Sequence, residues 1–458
     1  MISKRNGHCL SQYYRCPDQY LHFAPKRPAS PSDGYFQFGK EAICYGNDAG
    51  REPSEGTPGT ALNAFQDVEI KDGIAYLPCD PSQVIENLQR EAYAANRGRW
   101  LPDTALARIY HFCRPMLPVP IRRHFQKFQF RGRSKLKSLR WPVDCAVDNI
   151  HAQLLSLSLK ASGLERIPFI WFWPKGAASC AILTHEIETE LGGGLCGTLM
   201  DINDLFGIKA SFLVSSHQCC NLTPEFLSSS RNRGYEVLVQ ELDHDRHRNK
   251  DRKGILAQPA RINSYASAYG AEEFQSARLC QEQSWNYAAG FSYGISVPNI
   301  AHLGPQPCGC CTVMPSFLGD ILELPVTTTQ DHVLFDILED YSIDLWKQQM
   351  ETIMEKHGLI SFIMHSSQIR KPQPRSIYEA LLGYLSCLEE ERNLWITTPS
   401  EANRWWRQRA EMKLVHRADG WHIEGLGAER ARLAYAELEL EQLVYRIEGD
   451  PEWKARAT

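Results

Sequence analysis

Three short stretches of this 458-residue chain carry side chains that could do acid–base or metal chemistry. The first is Ala181-Ile-Leu-Thr-His-Glu-Ile-Glu188, an apolar run that ends in His185, Glu186 and Glu188. The second is Gln240-Glu-Leu-Asp-His-Asp245, which follows Tyr235-Glu-Val-Leu-Val239 and contains Gln240, Asp243, His244 and Asp245. The third is Leu359-Ile-Ser-Phe-Ile-Met-His365, which closes on a histidine. Each alone reads equally well as a loop cap or a satisfied core histidine. Together they are three polar sets, each closing a strand-like run. In a parallel barrel the C-terminal strand ends open on one mouth, so such sets converge. Carboxylate oxygens with imidazole suit a divalent cation such as zinc, manganese, iron or cobalt. A remaining carboxylate could deprotonate water, and a histidine could protonate a leaving group. That is equipment for hydrolysing an amide or an ester.

The elements that would position these residues alternate from about residue 165. Strands are expected at Ile167–Phe172, Ala181–Thr184, Ile208–Val214, Tyr235–Gln240, Phe274–Ala277, Phe291–Val297, Ile321–Val326, Leu359–His365 and Leu394–Thr397. Helices are expected at Leu195–Phe206, Gly254–Tyr269, Tyr341–Lys356 and Arg375–Arg392. This alternation predicts an α/β fold, a distorted (β/α) barrel of about seven parallel strands, over residues 165–411. Residues 1–164 form an α+β lead-in. There Asp67–Leu77 reads as a hairpin around Asp72-Gly73, and Asp80-Pro81 starts a helix. Residues 412–458 alternate apolar and polar and predict a small antiparallel β-appendage, packed on the barrel through Trp405 and Trp406. The same aromatics could instead form a carbohydrate-binding surface.

Composition narrows the class. The hydrophobic share is 43%, the charged share 23% and the net charge −4, which suits a soluble globular protein and not a polyanion binder. No apolar run is long enough to span a membrane, and Met1–Tyr14 lacks a signal-peptide pattern. A cytoplasmic location is expected, with the fifteen cysteines as free thiols. Cys308, Cys310 and Cys311 lack a second cysteine pair at zinc-site spacing. No GxGxxG follows an early strand, no Walker loop or GxSxG is present, and His185–Thr189 is not HExxH. Residues 122–140 hold eight basic side chains and no acid, with Phe125, Phe128 and Phe130 between them. They read as a solvated connector or as a patch for anionic membrane. No nucleic-acid-binding motif occurs, so no nucleic-acid partner is expected.

At these residues the chain resembles the polysaccharide deacetylases, a NodB-homology, carbohydrate-esterase group. The likeness spans about residues 165–405. Thr184-His-Glu-Ile-Glu188 is similar to the first family motif, Thr-His-Asp-Val-Asp/Glu. Leu205-Phe-Gly-Ile-Lys-Ala-Ser-Phe-Leu213 is similar to the segment that follows it. Gly234–His244 resembles the second motif, and Leu359–His365 the last. The resemblance implies a divalent metal, most often zinc, and removal of an N- or O-acetyl group from a glycan or glycan precursor. It implies Glu186 as base, His365 as acid, and Glu188, His244 and Gln240 around the metal. His185, Asp243, Asp245, Gln275, Tyr293, Asn299 and His302 would contact substrate. Four positions depart from the family pattern. Glu186 replaces Asp, Gln240 replaces the first metal-binding His, Gln275 replaces Arg, and Ser366 replaces Pro. A neutral amide is a poor zinc ligand. The departures leave a second implication open: a relative that binds a glycan or a pathway partner without turnover.

Overall fold

The structure is a computed structural model. It describes residues 9–26, 34–39, 42–46, 63–90, 142–187, 193–215, 223–240, 274–275, 293–295 and 311–449. The chain divides into two compact units. One comprises Met1–Arg97, Cys145–Ala177 and Trp405–Thr458, and the other Gly98–Asp144 and Ala178–Arg404.

The first unit contains helices α1 (Cys9–Tyr14), α2 (Pro81–Gln89) and α3 (Ala146–Ser162) and strands β1–β6: Phe23–Pro25, Gly34–Phe38, Ala42–Gly46, Glu69–Lys71, Ile74–Leu77 and Arg166–Ile170. The expected hairpin forms between β4 and β5, with Lys71 opposite Ile74. Asp72 and Gly73 both take positive φ, 50° and 77°, the conformation a two-residue turn needs to match the strands' twist. Asp80 caps α2, its Oδ1 accepting from the Ser82 and Gln83 amides at 2.9 and 3.3 Å, with Pro81 at the first helical position.

One expectation about this region is corrected. Ile167–Phe172 is not a barrel strand: β6 pairs antiparallel with Leu433–Glu439, Ile170 lying opposite Leu433. A buried apolar strand announces itself in sequence, but its hydrogen-bonding partner does not. The C-terminal strands do form two antiparallel hairpins. The chain-order labels β7–β15 belong to the second unit, so these are β16 (Lys413–Arg417) with β17 (Gly420–Glu424), and β18 (Leu433–Glu439) with β19 (Gln442–Ile447). Trp405 donates its indole N–H to the Phe172 carbonyl at 2.8 Å, and the Arg430 guanidinium lies 5.4 Å from its ring.

The second unit is built on a curled parallel sheet, half of a barrel. Its strands are β7 (Ser179–Ile187), β8 (Ser211–Ser215), β9 (Glu236–Gln240), β10 (Phe274–Gln275), β14 (Leu359–His365) and β15 (Leu394–Thr397). The order is β10-β9-β8-β7-β14. Along its other edge β7 is shared: β15 pairs with its first half, β8 with its second. Almost every β7 side chain is buried, as a central strand covered on both faces requires. Helices α4 (Cys196–Leu205), α6 (Asp344–Met354) and α7 (Pro372–Arg392) fall near the expected spans, α5 (Pro224–Asn232) and α8 (Pro399–Glu411) add to them, and the boundary between the units lies within α8. The expected helix at Gly254–Tyr269 lies outside the described residues.

A smaller sheet, β11 (Tyr293–Gly294), β13 (Ile321–Glu323) and β12 (Ser316–Leu318), replaces the two longer strands expected there. Beyond it, Thr327 and Thr328 act in place of a strand. The Thr327 hydroxyl donates to the Leu359 carbonyl (2.7 Å) and accepts from the Ser361 amide (2.9 Å), and Thr328 donates to the Ser361 carbonyl (2.8 Å). These side chains satisfy backbone groups on the edge of β14 away from β7.

The entry to β14 is tight. A Cβ on Gly358 would stand 2.5 Å from Val313 Cγ2 and 2.9 Å from Ile353 Cγ2. Val313 cannot retreat freely, because its carbonyl accepts from the Leu359 amide at 2.7 Å. Gly358→Ala is expected to cost roughly 1–3 kcal/mol through overpacking, measured as a lower urea midpoint at unchanged slope.

Candidate active site

Parallel pairing puts Glu186 of β7 level with His365 of β14. Both are the polar ends of strands that are otherwise buried. The His365 Nε2 lies 3.3 Å from Glu186 Oε2. On the far side of the ring, Nδ1 donates to Asp331 Oδ1 at 2.6 Å, and the His365 backbone amide donates to Asp331 Oδ2 at 2.7 Å. Asp331 is 1% exposed, whereas the side chains of Glu186 and His365 keep 11% and 14%. The imidazole is therefore held from behind by a buried carboxylate and faces a second carboxylate in front. Both ring nitrogens find acceptors when both carry protons.

Asp331 reaches this position because the threonine run that closes β14 delivers it there. Thr329 is fixed by Gln349, which accepts from its amide at 2.9 Å and donates to its hydroxyl at 3.0 Å, while Trp346 donates to its carbonyl at 2.7 Å. His332 follows. Its amide donates to Asp331 Oδ1 at 2.7 Å, and its ring meets the His365 ring edge to face with centroids 4.6 Å apart. Burial pushes the His332 imidazole down to about 4, and the neighbouring His365 adds to this. A π-helix, Val333–Leu338, begins immediately after it.

Asp331 and His332 are absent from the sequence expectations. Their signal was weak: an Asp-His pair after a β-branched polar run that does not read as a strand.

The structure places His185 in the core. Successive residues of a strand point to opposite faces, so His185 faces away from Glu186. It is fully buried against Asn203 of α4 and Tyr378 of α7, which lie 3.2 and 3.1 Å from its Nε2, with Tyr378 also bonded to Asn203. It is a core histidine with no face open to a substrate. Tyr293 is also fully buried, with its hydroxyl 3.2 Å from Ser400 Oγ. Gln240 and Gln275, expected at the metal and near the base, are level neighbours on β9 and β10. Glu188, Asp243, His244, Asp245, Asn299, His302, the basic stretch 122–140, Cys308 and Cys310 lie outside the described residues. Cys311 is buried. Among the described residues no helix is long and apolar enough to cross a membrane.

Among the described residues one donor set bears on a divalent metal. Asp331, His332 and His365 bring one carboxylate oxygen and two imidazole nitrogens within 4.8 Å of one another, a possible cation site by donor type. Yet the Asp331 carboxylate already accepts three N–H bonds, and His365 Nδ1 is one of those donors. A cation held there would compete with these bonds for the Asp331 carboxylate.

No protein-family model matches the chain, and no curated protein does. Solved structures similar to it include a Mycobacterium smegmatis protein assigned as a polysaccharide deacetylase, at 16% identity over 52% of this chain and 93% of that one, TM-score 0.41. A Pseudomonas aeruginosa PAO1 protein with the same assignment shows 11% identity over 50% and 91%, TM-score 0.41. The Bacillus subtilis peptidoglycan deacetylase PdaC shows 11% identity over 50% and 93%, TM-score 0.32. Likeness at TM-scores below 0.5 carries no information about this chain's reaction.

Two outcomes test the site's construction. Burial holds His185 near a pKa of about 4 in the folded chain, against about 6.5 unfolded. Its neutral ring contributes stability in full above pH 6.5, and that contribution is lost as pH falls toward 4, where the unfolded chain takes up the proton first. The urea midpoint is expected to drop over that window, and His185→Gln to flatten part of the drop. Gln240→His, which restores the imidazole that the resemblance implies at that position, is expected to tighten zinc binding at least tenfold, read by competition with a chromophoric chelator.

Proposed function

We propose that the chain is a deacetylase-like hydrolase that removes an N- or O-acetyl group from a sugar of a surface polysaccharide or glycan precursor. The observation that carries the reading is the Glu186–His365–Asp331 array at the C-terminal end of a parallel sheet, where barrel folds collect their chemistry. Glu186 takes a proton from the attacking water, whose oxygen bonds to the acyl carbon. His365 gives its Nε2 proton to the departing nitrogen or oxygen as the C–N or C–O bond breaks. Asp331 holds the ring in the orientation that aims Nε2 forward. The 3.3 Å separation then offers a direct path for the proton on Glu186 to return to His365, restoring both groups.

A second reading is glycan binding without turnover in the same pathway. The observation in its favour is the pair of amides, Gln240 beside Gln275, where the resemblance implies His and Arg.

Acetate release from penta-N-acetylchitopentaose and hydrolysis of 4-nitrophenyl acetate by the full chain decide between the two. Glu186→Gln and His365→Gln are each expected to lower kcat by about a hundredfold or more, with a smaller loss for Asp331→Asn. Wild-type rates no higher than those of Glu186→Gln on both compounds, with saturable binding of the oligosaccharide, would replace hydrolysis by the binding reading.

A further inference from the structure

The hydrolytic reading leaves His332 without a task, although its ring lies against the acid's. Its Nδ1 is enclosed and has no hydrogen-bond partner. The residue nevertheless keeps some exposure, and its Nε2 is neither hydrogen-bonded nor enclosed. This fixes the tautomer. A neutral imidazole carries one proton, and a buried orphan N–H is rarer in proteins than an under-satisfied acceptor. The proton therefore belongs on Nε2, with the bare lone pair on Nδ1.

The two rings also have opposite surroundings. Both nitrogens of His365 face carboxylate oxygens. The His332 ring makes no ion pair with a carboxylate among the described residues: its backbone amide bonds to Asp331, and Asp331 and Asp336 act on the ring only at longer range. Burial and the adjacent His365 keep it uncharged at neutral pH. Neighbouring titratable groups driven apart in this way take different roles. One can surrender a proton, while the other stays neutral and donates a hydrogen bond without losing its own.

We propose that His332 is a further catalytic residue of this site, a neutral Nε2–H donor to the acyl oxygen of an ester or amide as that oxygen gains negative charge. The inference rests on the hydrolytic reading above. It requires no proton transfer by His332: the N–H stays intact while the carbonyl oxygen becomes an oxyanion and then re-forms its double bond. Fixed donors aimed at developing charge act in this way in acyl transfer.

The test uses the full chain and 4-nitrophenyl acetate. His332→Phe keeps an aromatic ring against His365 but removes the donor, whereas His332→Gln keeps a donor on a smaller side chain. The expected result for His332→Phe is a kcat loss of about 10²–10³-fold with KM within about threefold. His332→Gln is expected to recover at least tenfold of that loss, at an unchanged thermal midpoint for both variants. A kcat for His332→Phe within threefold of wild type would overturn the inference. So would equal losses in the two variants, which would mark a packing role. If the wild type itself shows no turnover, the hydrolytic reading falls on its own. The tautomer is then read directly by ¹⁵N–¹H correlation of histidine-labelled protein at pH 7. An Nε2–H resonance for His332 upholds the donor assignment, and an Nδ1–H or doubly protonated ring overturns it.

Discussion

The pairing of β7 with β14 is the constraint on which the site depends. These are two buried, nearly all-apolar strands in parallel register from Cys180 opposite Leu359 to Glu186 opposite His365. A slip of one residue would turn every side chain of one strand to the other face. Glu186 would then go into the helix layer and His185 into the opening. The core of the second unit thus aligns the two polar ends: Ile182, Leu183, Ile360 and Phe362 cannot be buried unless Glu186 and His365 are level. Hydrophobic burial sets the position of the polar groups here, and their own attraction is a small addition.

The edge of β14 is the second determinant. A barrel would place another strand there. In this chain threonine hydroxyls take the backbone groups instead. That frees the main chain to turn at Thr329, pinned by Gln349 and Trp346, and to carry Asp331 behind the His365 ring. A carboxylate that accepts three N–H bonds while 1% exposed is rigidly held. Rigidity of that kind is what an acid–base residue needs from its support.

Polar burial in the first unit follows a different plan. Arg409 is almost fully buried and donates to the carbonyls of Ile170, Trp171 and Tyr13, between the rings of Phe172 and Trp406. Burial lowers its pKa to about 9. Its donors satisfy carbonyls around the end of β6, where the chain leaves the strand. The unit contains aromatic and polar burial in quantity, yet its arrangement serves packing.

Much of the fold was legible in residue order. The hairpin at Asp72-Gly73, the Asp80-Pro81 cap, the strands at 181–184, 359–365 and 394–397, and Glu186 and His365 as strand-end groups all follow from local rules: turn chemistry, capping, and apolar runs closed by polar residues. The sequence alone could not assign Ile167–Phe172 to its partner, because an apolar strand is compatible with any sheet edge, and β18 lies far along the chain. It could not separate His185 from Glu186 either. Adjacent polar residues at a strand end look equally exposed until the helix layer, here Asn203 and Tyr378, shows which face is closed. Asp331 and His332 sit in a stretch without periodicity, so their meeting with His365 is a product of tertiary structure. Local order determined which residues carry the chemistry of strand ends. Only the packing of β14 against β7 and the threonine run decided which of them face one another, because convergence depends on contacts between segments far apart in the chain.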